Sequence, residues 1–272
     1  MPRKKKEDPL LSIKTIDTRT LLLIREWMWR YRDKSERRAA WKKRAKVCAV
    51  TEDALEYIKQ LDAEVRAIGR VLDRLLSQVP LYELWLSRIK GVGVYTAALL
   101  VTYCNPERFS KPGKLFKYCN LHVIHECQKC GWSGEGHKPD ICPKCGSPSV
   151  VTRAARKGDG GNSRYKSTLL QSAIVMSMKD RFYSMHFEER FKYELSKGVN
   201  ERLARRRAWR WLAKFFLMHW WLVYRAYYGL PIMLPYPITH MGHRDFVPPP
   251  YLEDLPEVKT RILAEAMRVI RV

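Results

Sequence analysis

Acidic residues are scarce in this sequence. The 272-residue chain has 28 Asp and Glu against 51 Lys and Arg, which gives a formal net charge of +23. Self-repulsion of that size destabilises a compact state unless an acidic partner offsets it. The composition therefore predicts a polyanionic partner, and it favours nucleic acid over an anionic membrane surface or an acidic protein.

Long hydrophobic runs are also missing. The longest apolar stretch, FFLMHWWLVY at 215–224, is far shorter than the roughly 20 residues of a membrane span, and it contains His219. It is typical of a buried helix, so no membrane partner is expected. The basic N-terminal arm at 1–17 is followed by no apolar segment, so we expect neither a signal peptide nor a membrane anchor. These features predict a cytoplasmic protein, associated with the nucleoid if it binds DNA.

Cysteines and amides are few. Four of the seven cysteines lie together at 127–145 with metal-ligand rather than disulfide spacing, which favours a reducing compartment. Cys48, Cys104 and Cys119 are scattered and are predicted to be small core residues. Only four Asn and four Gln stand among many charged residues, a balance that favours a thermophilic protein.

Helical patterns occupy most of the chain, and the predicted fold class is mainly α. Residues 18–80 contain two helices, because 18–47 lack Pro and Gly and because apolar residues recur at three- and four-residue steps after Thr51, a predicted N-cap. These apolar residues form a stripe along the second helix. The stripe is equally compatible with a helical hairpin that packs against the rest of the same chain and with a coiled-coil homodimer.

A glycine turn in RIKGVGVYTAALLVTYC predicts a helix-hairpin-helix within 81–124. Without Cβ atoms, such a turn and the N-terminus of the next helix can approach a phosphate directly, without reading bases. The alternative is that the glycines only let two helices pack closely, but the net charge favours phosphate binding. The residues predicted to bind nucleic acid here are Lys90, Gly91, Gly93, Tyr95, Thr96, Lys111 and Lys114.

The cysteine cluster predicts a zinc ribbon inserted at 125–152. Its spacing is C-x2-C-x11-C-x2-C, and a glycine directly follows each pair. Each pair forms a knuckle whose thiolates face one ion, and two knuckles complete a tetrahedral site with no open position for catalysis. We therefore expect one structural Zn²⁺ held by Cys127, Cys130, Cys142 and Cys145. The nearby histidines, His122, His125 and His137, are predicted to be exposed polar residues rather than ligands.

Basic clusters continue through 153–230. A helix N-cap is predicted at Asn162 or Ser163, and cations near it interact unfavourably with the dipole of the following helix. A bound anion would offset that unfavourable interaction. The alternative is that these cations form a solvent-exposed charged face. A long helix is expected from about 200 to 228, and 231–272 read as a Pro-rich extended segment with a closing helix at 256–270. Further predicted nucleic-acid contacts are Arg153, Arg156, Lys157, Asn162, Arg164, Lys166, Arg205, Arg206 and Arg207.

Two segments, RIKGVGVYTAALLVTYCNPERFSKPGKLFKYCNL and GNSRYKSTLLQSA, resemble the C-terminal domain of the insertion-sequence family 110 transposases, also known for its members 116 and 902. The resemblance covers about half of the chain. The matching residues are Gly91, Gly93, Ala97 and Ala98, then Arg108, Phe109, Leu115, Tyr118 and Leu121, then Gly161, Asn162, Leu169 and Ala173. This resemblance implies a DNA-binding protein related to recombination enzymes.

The chain departs from that family in two places. The family carries an N-terminal nuclease-like domain with four metal-binding carboxylates, whereas about 85 helical residues precede the hairpin here and Asp17 stands alone. The ribbon also occupies the loop where the family has a reactive serine. Ser147 and Ser149 lie there but are more simply loop residues, so no catalytic residue is assigned.

Three hypotheses follow from the sequence. The favoured one is a non-catalytic, zinc-containing protein that binds DNA mainly through the phosphate backbone. The alternatives are a serine-dependent transposase or recombinase subunit, and a factor that binds structured RNA or the ribosome.

Overall fold

The computed structural model describes residues 9–47, 51–136, 138–235, 238–239 and 245–270. The described chain is mainly α-helical with one small antiparallel sheet that carries the four clustered cysteines, which confirms the predicted fold class. The helices are α1 (Thr18–Arg44), α2 (Glu52–Leu76), α3 (Pro80–Leu84), α4 (Val94–Thr102), α5 (Pro112–Tyr118), α6 (Ser163–Lys179), α7 (Arg181–Ser196), α8 (Glu201–Tyr227) and α9 (Pro256–Ile270). The strands are β1 (Val123–Cys127), β2 (Ser133–Gly134) and β3 (Val150–Ala154).

The first two helices form a hairpin within the chain. Lys34 pairs with Glu64 at 2.6 Å, and Lys42 pairs with Asp62 at 2.8 Å across the hairpin. Much of the apolar stripe of α2 is buried in the described chain, at Ile58, Leu61, Val65, Leu72 and Leu76. The hairpin alternative therefore accounts for most of the stripe without a second copy of the chain.

The glycine turn is not preceded by a regular helix. The five-residue α3 is followed by a 3-10 turn at Leu86–Arg88, and α4 begins directly after Gly93. The chain leaves the helical conformation at Trp85, where φ is −141°, and the indole ring is fully buried and stacked near Phe216 and Trp220. The helix predicted before the glycines is therefore present as these two short segments, which meet at the buried Trp85.

Helix α8 lies at the centre of the hydrophobic core. Trp220 and Trp221 are fully buried, and their ring N–H groups donate to the carbonyl oxygens of Cys104 (3.1 Å) and Phe109 (2.8 Å). Full burial of a large apolar side chain stabilises a fold by roughly 1.5–3 kcal/mol. The apolar stripe of this helix, including His219, is core, as the sequence predicts.

One buried carboxylate joins three parts of the chain. Asp180 ends α6 and caps α7, where it accepts hydrogen bonds from the backbone N–H groups of Phe182 and Tyr183 at 3.1 Å. It also accepts from the backbone N–H of Lys90 (3.1 Å) and from the hydroxyl of Tyr251 (3.0 Å). Asp180 therefore holds the glycine turn and the C-terminal segment against the junction of α6 and α7.

The two described core thiols lie side by side. The sulfurs of Cys104 and Cys119 are fully buried and 3.4 Å apart, and burial raises the pKa of the Cys119 thiol well above its usual value. These residues agree with the predicted core role, whereas Cys48 lies outside the described residues.

The terminal predictions are described only in part. Helix α9 has the predicted bounds, and 231–235 and 245–255 contain neither helix nor strand. Positions 1–8 of the basic arm lie outside the described residues, as do 236–237, 240–244 and 271–272 of the last segment.

Candidate metal centre and nucleic-acid interface

The two cysteine knuckles form as their glycines require. Gly131 and Gly146 adopt φ values of +71° and +66°, where a side chain would be strained. Their N–H groups donate to the carbonyl oxygens of Cys127 (3.0 Å) and Cys142 (2.9 Å), which closes each turn. The strand order β2-β1-β3 places the first knuckle at the end of the central strand, β1.

The four sulfurs form a cluster that can hold one metal ion. All ligand atoms lie within 4.8 Å of one another, and the distances are 3.7 Å between Cys127 and Cys145 and 3.6 Å between Cys130 and Cys142. A tetrahedral ion roughly 2.3 Å from each sulfur would separate the sulfurs by about 3.8 Å. The donor set and its spacing therefore fit a zinc ion.

Thiol ionisation in the cluster is uneven. The backbone N–H of Cys130, aided by that of Lys129, lowers the pKa of Cys127 to about 7. The N–H of Ser147 acts in the same direction on Cys145, but hydrogen bonds among the sulfurs together with burial raise the pKa of Cys145 to about 12. A divalent cation would favour the thiolate form of all four groups.

The nearby histidines bind protein groups. The imidazole of His125 is buried and lies 2.9 Å from both the Thr152 hydroxyl and the Gly136 carbonyl oxygen. His122 lies 3.2 Å from the carbonyl oxygen of Asp159. Neither belongs to the metal cluster, although His125 is buried rather than exposed as predicted; His137 lies outside the described residues.

Some residues of the glycine turn pack against other helices, and others are open to solvent. A Cβ on Gly91, whose φ is +124°, would lie 2.9 Å from the backbone nitrogen of Met176 and 3.0 Å from the carbonyl oxygen of Ser172 on α6. The N–H of Lys90 is bound by Asp180, and Thr96 is buried with its hydroxyl 2.9 Å from that of Ser172. For these three positions, the close packing of helices explains the observed contacts.

Gly93 differs from Gly91. A Cβ on Gly93 would meet no atom of the described chain within 4 Å, and its φ of −82° is ordinary. In the described chain, no side chain caps α4, whose first N–H groups follow Gly93. An uncapped helix N-terminus favours a bound anion.

Several predicted contacts are satisfied within the protein. Arg153 pairs with Glu126 (2.5 Å) and Asp159 (2.6 Å), and the guanidinium holds the pKa of the Asp159 carboxyl well below its usual range. Lys166 donates to the carbonyl oxygen of Ala155 at 2.6 Å. The charge of Arg153 is therefore offset by two carboxylates, whereas Lys166 keeps its charge but already uses one of its donors.

The other residues predicted to bind nucleic acid include one helix cap, two ion-paired arginines and a set of exposed cations. Asn162 caps α6 by accepting from the N–H of Arg164 at 2.9 Å. Arg205 pairs with Glu201 at 2.5 Å, and Arg207 lies 3.4 Å from Glu194. The remaining predicted cations lie at exposed positions, namely Lys90, Lys111, Lys114, Arg156, Lys157, Arg164 and Arg206.

A cavity of about 660 Å³ brings three of the predicted residues together. Tyr95 of α4, Arg164 of α6 and Lys157 of the preceding loop line it, facing Arg32 and Arg38 of α1. Of the described residues that line this cavity, the one acidic side chain is Glu36, which pairs with Arg32 at 2.6 Å. The cavity therefore has a clear excess of positive charge.

A second cavity of about 500 Å³ adjoins the first. The two share Tyr31 and Arg38, and the second adds Arg66 and Arg70 of α2 together with Val94, the first residue of α4. We call the two cavities together the basic cleft. The cleft is lined by six cationic and two acidic side chains within the described chain, and the α4 N-terminus borders both of its halves.

Buried groups lie inside the cleft. The side chain of Arg32 is only 17% exposed, and its Nη1 atom is buried without a hydrogen-bond partner in the described chain. The Tyr31 and Tyr95 rings are nearly parallel, with an angle of 19° and centroids 6.2 Å apart. Burial raises the pKa of Tyr95, although Arg32 and Thr168 act in the opposite direction.

The sequence prediction missed most of the cleft. No binding role was predicted for Tyr31, Arg32, Arg38, Arg66 or Arg70. The four-residue spacing of Arg66 and Arg70 marks a basic face of α2, but no local pattern says that α4 and α6 lie beside it.

The loop serines show no catalytic arrangement. Ser147 is buried, and its Oγ accepts a hydrogen bond from the N–H of Ser149 at 3.2 Å. Ser147 therefore stabilises the turn after the second knuckle, as the loop interpretation predicts.

Comparison with known proteins gives no family. No protein-family model matches the chain, and no curated protein matches it. The transposase resemblance therefore remains a hypothesis. Among the described residues, no helix combines the length and the hydropathy that crossing a bilayer requires.

Proposed function

We propose that the protein binds nucleic acid through the phosphate backbone, with DNA as the favoured partner and structured RNA as the alternative. The observation that carries this proposal is the basic cleft, where the uncapped N-terminus of α4 meets six cationic side chains. The net charge of +23 supports it, because such a chain gains stability from a polyanion. Phosphate contacts of this kind give affinity with little base specificity.

The proposal retains part of the predicted hairpin. Gly93 is open and directly precedes α4, so its position suits an approaching phosphate. Gly91 and Thr96 serve the proposal only indirectly, because they hold α4 against α6. The transposase kinship belongs to this proposal as a statement about ancestry, and no catalytic residue is part of it.

We also propose that the cysteine cluster holds one structural Zn²⁺. An all-thiolate, four-coordinate shell leaves no position for substrate. The apolar cluster of the ribbon is small, comprising Cys127, Cys142 and Val150 with Cys130 and Trp132 beside it. Because so small a core cannot order 28 residues, the metal would supply much of the folding free energy of the ribbon.

A competition experiment across a salt series tests nucleic-acid binding. The zinc-loaded protein is titrated onto a labelled branched DNA junction and challenged with blunt duplex DNA, single strands and structured RNA. Each phosphate neutralised adds about −0.9 to the slope of log affinity against log salt for duplex DNA. Arg32 and Arg38 already pair with Glu36 and Asp62, so the other four cleft cations predict a slope of about −4.

A matched pair of variants locates the contacts. Arg66→Gln removes a charge from the cleft, whereas Lys259→Gln removes one from an exposed site on α9 that lines neither cavity. We expect Arg66→Gln to weaken binding and to reduce the salt slope by about one, with Lys259→Gln close to the wild type. Absence of wild-type binding to every nucleic acid would refute the proposal, and preferential binding of structured RNA would select the alternative.

A further inference from the structure

We propose that the basic cleft binds an unpaired nucleotide strand rather than a duplex. This inference rests on the proposed function and specifies the form of nucleic acid that enters the site. It is carried by the partly buried Arg32, the size of the two cavities and the two tyrosines that line them.

Arg32 is the least exposed of the six cations that line the cleft. Its side chain is 17% exposed, against 34% for Arg38, and the other four cations lie at exposed positions. A flexible, unpaired strand can bring a phosphate into the first cavity beside this side chain, whereas the backbone of a rigid duplex is held further from it by base pairing.

The volumes of the cavities match single nucleotides. Pockets of about 300–1,000 Å³ enclose small organic ligands, and the two halves of the cleft, about 660 and 500 Å³, each fall in that range. Tyr31 and Arg38 line both halves, so the two halves lie side by side along α1. Adjacent sites of this kind suit consecutive nucleotides of one strand.

The aromatic residues suit bases rather than paired phosphates. Tyr31 lines both halves and Tyr95 lines the first, and their rings are nearly parallel. Single-strand binding sites combine a cationic groove with aromatic rings on which bases stack, whatever their sequence. In this arrangement the phosphates lie toward Arg32, Arg164 and the N-terminus of α4, and the bases lie toward the tyrosines.

Three oligonucleotides and three variants test the inference. The probes are labelled 12-mers of dT and of rU, which distinguish DNA from RNA as the source of the strand, and a blunt DNA duplex. The variants are Tyr31→Leu, which removes the shared aromatic ring, Arg164→Gln, which removes an exposed cleft cation, and the control Lys259→Gln. A thermal melt of each variant establishes that it is folded.

We expect Tyr31→Leu to weaken binding of at least one 12-mer by about 5- to 150-fold and binding of the duplex by less than about twofold. Arg164→Gln should likewise weaken binding of the 12-mer more than binding of the duplex. If Tyr31→Leu does not fold, the result for Arg164→Gln alone tests the inference. Equal losses for strand and duplex, or no loss for either, would overturn the inference while leaving nucleic-acid binding intact. A wild-type protein that binds none of the three probes would also overturn the inference, and the proposed function would be refuted as well only if the branched junction and structured RNA fail to bind.

Discussion

Replacing the two turn glycines one at a time separates helix packing from phosphate binding. In Gly91→Ala, the new Cβ would lie 2.8–3.0 Å from Met176 and from the carbonyl oxygen of Ser172, and two of its three closest atoms belong to the backbone of α6. Backbone cannot move aside as a flexible side chain can, so α4 and α6 must separate. The residue would also keep a φ of +124°, which L-amino acids rarely adopt.

The magnitude follows from these two costs. A strained backbone conformation costs about 1–3 kcal/mol, and overpacking costs about 1–3 kcal/mol. We therefore expect Gly91→Ala to lower the free energy of unfolding by roughly 2–6 kcal/mol, and to lower Tm by about 4 °C or more at 2–4 °C per kcal/mol. Gly93→Ala has an ordinary φ and open space, so its Tm should stay within about 4 °C of the wild type.

The assay combines melting curves with nucleic-acid titrations of both variants. In Gly93→Ala, the added methyl group occupies the space through which a phosphate would approach α4, so binding should weaken although the fold is intact. Equal melting temperatures for the two variants would refute the packing argument for Gly91. Unchanged affinity of Gly93→Ala would remove the α4 N-terminus from the proposed interface.

Two further predictions concern the metal and a buried histidine. Zinc analysis should find one ion per chain, and a strong chelator should abolish hydrogen-exchange protection in 123–154 while α8 remains protected; a protected ribbon without metal would contradict the structural role. Burial lowers the pKa of His219 to about 3, whereas the unfolded chain protonates this residue near 6.5, so its neutral form contributes stability above about pH 6.5 that is lost as the pH falls towards 3. Urea unfolding at pH 7.5 and at pH 5 gives the free energy of unfolding at each pH. Between these two values, that free energy should fall by about 2 kcal/mol more for the wild type than for His219→Gln, and equal decreases would argue that His219 is not buried in the neutral form.

Local chemistry made several features predictable. The spacing of the cysteines and their glycines predicts the knuckles, because each turn is closed within five residues. The cap predicted at Asn162 or Ser163 is Asn162, and the helix expected from about 200 begins after a cap at Asn200; such caps are local because they bind N–H groups two or three residues away. The stop of α6 at Asp180 was not predicted, although its cap contacts are also local, because the apolar pattern continues across it.

Other features depended on residues far apart in the chain. The break between α3 and the 3-10 turn was not predicted, because Trp85 packs against Phe216 and Trp220, which lie far away in the sequence. The sequence left two roles open for Gly91, because Ser172 and Met176, which lie against it, are more than 80 positions later in the chain. Hydrophobic periodicity identifies which face of a helix is buried but not which helix covers it.

The sequence by itself determined that this protein is mainly α-helical, carries a four-cysteine metal-binding ribbon and has a strong excess of positive charge, because composition and short-range spacing decide those properties. Only the tertiary structure decided where that charge is concentrated. The basic cleft joins residues from Tyr31 to Arg164 on four helices, and their meeting depends on how a core built around α8 packs those helices together.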